Sequence, residues 1–97
     1  AYFQDYAALA GRHETGLMLD APTWRANPDW AEKLGFAREA LRDVNRRSIA
    51  FIAQVRDSLA IPGPVILNGV VGPRGDGYVV GAAMTAEEAA DYHGPQV

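Results

Sequence analysis

The chain has 97 residues, 48% of them hydrophobic, with nine Lys plus Arg against twelve Asp plus Glu, a formal charge of −3 and no cysteine. This is the composition of one small globular domain, residues 1–97, rather than of a disordered segment. It excludes an internal disulfide or thiolate metal site, offers no basic excess for nucleic acid or an anionic membrane, and contains no apolar run near the roughly 18–20 residues of a membrane span.

Residues 1–13 read as the end of a helix, with Phe3, Tyr6, Ala7 and Ala10 on one apolar face. Gly16-Leu17-Met18-Leu19 then reads as a short buried strand with Asp20 at its end. The connection over 21–35 holds Pro22, Pro28 and Gly35 and is long for a compact α/β unit, a length often associated with function. Within it, Asn27 is placed to cap a short helical turn whose first residue is Pro28.

The clearest element is the helix over 36–60. Leu41, Val44, Phe51, Ile52, Val55 and Leu59 form its apolar stripe, and Arg38, Glu39, Arg42, Asp43, Arg46 and Arg47 the opposite side. Glu39–Arg42 and Asp43–Arg47 stand at pairing distance along it. Ile61-Pro62-Gly63-Pro64 ends the helix, and Val65-Ile66-Leu67 opens a β-branched strand expected to run to about Val71. Gly72 to Gly81 is a glycine-rich loop whose spacing is not that of a phosphate-binding fingerprint. Thr85-Ala86-Glu87-Glu88 matches a capping box, so a final helix should carry Ala89, Ala90 and Tyr92 until Gly94-Pro95 ends or kinks it. Strand, polar loop, helix, strand, polar loop is the order of a parallel α/β protein, with sites at the carboxyl ends of its strands.

Two stretches, Leu19-Asp20-Ala21-Pro22-Thr23-Trp24-Arg25-Ala26-Asn27-Pro28-Asp29-Trp30 and Gly69-Val70-Val71-Gly72-Pro73-Arg74-Gly75-Asp76-Gly77-Tyr78, together resemble the homocysteine S-methyltransferase family. Met84-Thr85-Ala86-Glu87-Glu88-Ala89 and Tyr92-His93 look like the start of that family's next helix, so the resemblance runs over essentially the whole chain. It implies a (β/α)8 barrel, of which this chain would supply about two βα units. It also implies methyl transfer from a sulfonium or ammonium donor to homocysteine, giving methionine, with small molecules as the only partners. In the family, zinc held by cysteine thiolates on later strands activates the homocysteine thiol. Here every such ligand is missing, so the chain alone is expected to be an inactive fragment. A Gly-Cys-Cys-type motif in a continued reading frame would favour the enzyme.

The residues that bear on chemistry each carry two readings. The resemblance puts the loop of Thr23 and Trp24 at the barrel mouth, near the methyl donor. An indole face can hold a cation, but Trp24 can equally pack on the helix that follows. Asp20 either meets a substrate amine or accepts loop backbone donors. Asn68, polar in an apolar strand, is either a site residue or a tie between strands. Arg25 reaches for a carboxylate, or braces Asp29 or Asp76. His13 and His93 stand alone, and Trp30 and Tyr78 read as local packing. The start lacks both Met and a signal pattern, which points to a piece of a longer or processed cytoplasmic protein. The rival reading is a non-enzymatic small α/β module for binding or assembly, with uncovered strand edges.

Overall fold

A computed structural model describes residues 2–75, 77–79, 81 and 83–97. Its elements are helix α1 (Tyr2–Arg12), strand β1 (Leu17–Asp20), helices α2 (Pro28–Lys33) and α3 (Arg38–Ser58), strand β2 (Val65–Asn68), helix α4 (Ala86–His93) and a 3-10 turn over Gly94–Gln96. The fold is mixed α/β, with two parallel strands and several helices. It divides into two compact units: residues up to Ala21 with Ile49–Gly69, and Pro22–Ser48 with residues from Val70 on.

The first unit is organised by its two strands. They pair in parallel register, Leu17 opposite Val65 and Asp20 opposite Asn68. Gly16 and Gly63 let the entering chains cross closely: a Cβ on Gly63 would stand 2.7 Å from the Thr15 carbonyl oxygen, and one on Gly16 2.8 Å from that of Pro64. Side chains alternate across the strands. Leu17, Leu19, Val65 and Leu67 face a core built on Ile52, which is 0% exposed, with Phe3, Val55 and Leu59 around it. Burying such a side chain contributes about 1.5–3 kcal/mol. The stripe expected on the long helix therefore holds at Ile52, Val55 and Leu59. Phe51, expected on the same stripe, is half exposed and meets Phe3 edge to face.

The strand expected to reach Val71 ends three residues earlier, at Asn68. Its partner strand ends opposite, at Asp20, so no ladder remains to extend.

In the second unit, Asn27 caps α2 as expected: its side chain accepts from the Trp30 N–H, and Pro28 takes the first turn. The capping box of α4 is complete, with Thr85 Oγ1 accepting from Glu88 N–H and Glu88 accepting from Thr85 N–H at 2.8 Å. Gly94-Pro95 turns the chain into a single 3-10 turn. Asp43 and Arg47 pair at 3.4 Å, while Arg38 reaches Asp91 at 3.0 Å. Leu41 is buried and Val44 is 36% exposed.

Candidate functional site

At the carboxyl ends of the two strands, Asp20 and Asn68 lie on the face opposite the core, together with Met18 and Ile66. The Asn68 side-chain amide donates to the Asp20 carboxylate at 2.8 Å, and the Asn68 carbonyl accepts from Ala21 N–H at 2.8 Å. The side-chain partner of Asp20 is thus an amide from the neighbouring strand. Both groups keep spare acceptor or donor capacity. The face they crown is uncovered: Met18 is 57% and Ile66 54% exposed. Parallel sheets ordinarily bury both faces.

The second unit holds the loop residues. Thr23 is 4% exposed; its hydroxyl donates to the Val70 carbonyl at 2.8 Å and accepts from Val70 N–H at 3.3 Å. That reciprocal pair pins the two loops together. Thr23 also offers its own carbonyl to Ala26 N–H and the Gln96 amide. Trp24 is partly exposed, and its indole lies against Gly72.

For Arg25, the brace to Asp29 does not form. Its guanidinium lies 5.3 Å from the Trp24 ring centre and 4.9 Å from that of Trp30, while the ion pair to Asp29 comes from Arg74 at 3.6 Å. The other expected brace, Asp76, lies outside the described residues. Lys33 adds a second cation, 4.5 Å from the Trp30 ring centre. These groups line a cleft of about 460 Å³ with Asp29, Pro73, Gly75, Gly77 and Tyr78.

One structural residue escaped the sequence reading. Asn45, buried in α3, donates to the carbonyls of Ala26 and Leu41, each at 3.0 Å, and so anchors the loop that carries Trp24 and Arg25. A lone polar residue among the apolar positions of the helix was its available signal. Tyr92 is also buried, beneath the Arg74 guanidinium; burial pushes its phenol up, and the Asp29 charge adds to this. His93 sits at the helix end, as its position implied, with its Nδ1 2.8 Å from the Gln96 side-chain oxygen.

The family model for homocysteine S-methyltransferase matches residues 1–97. The chain belongs to the homocysteine S-methyltransferase family. No curated protein and no solved structure matches it. The family's zinc chemistry asks for soft thiolate ligands. This chain has no cysteine, and among the described residues no three His, Asp or Glu side chains gather as a metal site. The residues present do not fit the ion.

Proposed function

We propose that this chain forms two neighbouring βα units of a (β/α)8 barrel in a homocysteine S-methyltransferase. The reaction is methyl transfer from a sulfonium or ammonium donor to homocysteine, giving methionine, in the cytoplasm. The observation that carries the reading is the uncovered strand face crowned by Asp20 and Asn68. In such barrels one strand face meets helices, the other fills the interior, and catalytic groups stand at the carboxyl ends of the strands. The family match over the whole chain supports the same assignment.

Within it, Asp20 and Asn68 bind polar groups of the substrate, and Trp24 offers an indole face to the cationic donor once Arg25 has moved off it. Thr23, buried and fully engaged with Val70, holds that loop in place. The thiol-activating ligands come from elsewhere in the barrel, so these 97 residues alone turn nothing over.

The test has two arms. The chain supplied with homocysteine, zinc and S-methylmethionine or betaine should form no methionine. The methyltransferase read from the continued frame should, and should lose at least tenfold in kcat/KM with Asn68→Ala or Asp20→Asn. Turnover by the chain alone, or an unchanged kcat/KM in both variants, would overturn the reading.

A further inference from the structure

We infer that Asn45 is a positioning residue for the methyl donor: from its buried place on α3 it fixes the turn that displays Trp24. The inference rests on the assignment of Trp24 to the donor made above, and adds the residue that holds Trp24 ready.

Residues 23–26 form a β-turn, closed by the Ala26 N–H donating to the Thr23 carbonyl at 2.9 Å, with Trp24 and Arg25 at its tip. Both ends of this turn are fastened. The Thr23 hydroxyl exchanges two hydrogen bonds with the Val70 backbone, and the Thr23 carbonyl also accepts from the Gln96 amide at 3.4 Å. At the other end, the Ala26 carbonyl accepts from the Asn45 side-chain amide at 3.0 Å. The indole between these anchors lies against Gly72.

An apolar side chain is the default at position 45. It is 4% exposed and stands one helical turn after the buried Leu41. An amide buried there is costly unless its polar groups are bonded. The Asn45 Nδ2 carries two N–H groups and makes two bonds, one to the Leu41 carbonyl and one to Ala26, each at 3.0 Å. The Leu41 bond sets the rotamer and so aims the second donor out of the helix. A hydroxyl makes only the first kind of bond, as Ser48 does to the Val44 carbonyl at 2.9 Å in the same helix. Asparagine at 45 therefore supplies a tie to the turn that helix formation does not require.

Arg25 gives that tie its use. Its guanidinium lies 5.3 Å from the centre of the Trp24 ring and must leave before a donor cation takes the same face. With both ends of the turn fixed, the Arg25 side chain swings away while the backbone and the indole stay. A preorganised indole lowers the ordering cost of binding the donor. Such a contribution is uniform along the reaction, so it appears in the donor KM and not in kcat.

The methyltransferase read from the continued frame is assayed with S-methylmethionine and with betaine. Asn45→Leu and Asn45→Ser should each raise the donor KM at least fivefold and leave kcat and the homocysteine KM within twofold. The Trp24 indole N–H signal in nitrogen-15 NMR spectra, assigned by its loss in Trp24→Leu, should move in both variants. Ser48→Ala should change neither readout. With Trp24→Leu already present, Asn45→Ser should raise the donor KM less than twofold further. Asn45→Ser keeps the bond to Leu41, so it carries the test if Asn45→Leu does not fold. An unmoved Trp24 signal, a donor KM unchanged in the Asn45 variants while Trp24→Leu raises it, a loss confined to kcat, or effects of Asn45→Ser and Trp24→Leu that multiply would overturn the inference. A donor KM unchanged in Trp24→Leu itself would overturn the donor assignment, and the inference with it.

Discussion

Gly72 is buried, and a methyl group built on it would collide with the Trp24 carbonyl oxygen and come within 2.6 Å of its indole nitrogen. The backbone of the glycine loop can therefore lie flat against the indole only while position 72 lacks a side chain. Gly72→Ala should push the ring aside, at a cost of about 1–3 kcal/mol for overpacking. Thermal unfolding together with tryptophan fluorescence checks this: the melting point should fall and the emission should shift toward that of a solvated indole. An unchanged spectrum would mean that the loop gives way more easily than the contact distances imply. Arg25 shows why such residue-scale detail was hard to read from sequence. A guanidinium has several partners of similar worth nearby, ion pairs and ring faces alike, and spacing along the chain does not rank them. Asp29 went to Arg74, and Arg25 went to the indoles. Asn68 and Asp20 were separately legible as polar strand ends, but their mutual bond depends on strand register, which neither strand encodes alone.

At the scale of elements, the helices were legible because their signals are local. The capping box of α4 is written in four consecutive residues, and both of its hydrogen bonds form. The end of β2 was not legible, because strand length is set by the partner: β1 stops at Asp20, and the valines beyond Asn68 find no ladder. The Thr85 hydrogen bonds hold the Glu88 carboxyl below its ordinary value of 4.5, the backbone N–H contributing most. A carboxyl depressed by folding stabilises above its unfolded pKa and loses that contribution as pH falls through the folded one. The first turn of α4 should thus be fully capped above about pH 4.5 and fray progressively below it. Hydrogen exchange at the Glu88 amide, followed as a protection factor against pH, measures this. Glu88→Gln should flatten the profile, because an amide oxygen still accepts from Thr85 but does not titrate. A profile as steep in Glu88→Gln as in the parent would place the acid sensitivity elsewhere.

For the molecule as a whole, the decisive quantity is apolar surface left on the sheet. Met18 and Ile66 are paired across the strands and both more than half exposed, on the face opposite the core. A two-stranded parallel sheet with one such face is poorly stabilised, since sheets of this kind are ordinarily buried on both sides. Its outer strand edges also offer unpaired backbone groups for another chain. In a barrel the same face would be interior and the edges would be closed by neighbouring strands. The 97 residues by themselves should therefore associate as concentration rises, through the Met18–Ile66 face and the adjoining edges. Light scattering after size exclusion gives the mass directly, and the double variant Met18→Lys, Ile66→Lys should shift it toward the monomer by placing two like charges opposite each other on that face. In the barrel-forming protein the same two charges would stand in a dry interior and should abolish folding instead, because an unpaired buried charge is far costlier than an exposed one. This opposite response of one substitution pair separates an incomplete barrel from a self-sufficient α/β module: a sharply melting monomer of the parent chain, with the lysine pair tolerated in every context, would belong to the module.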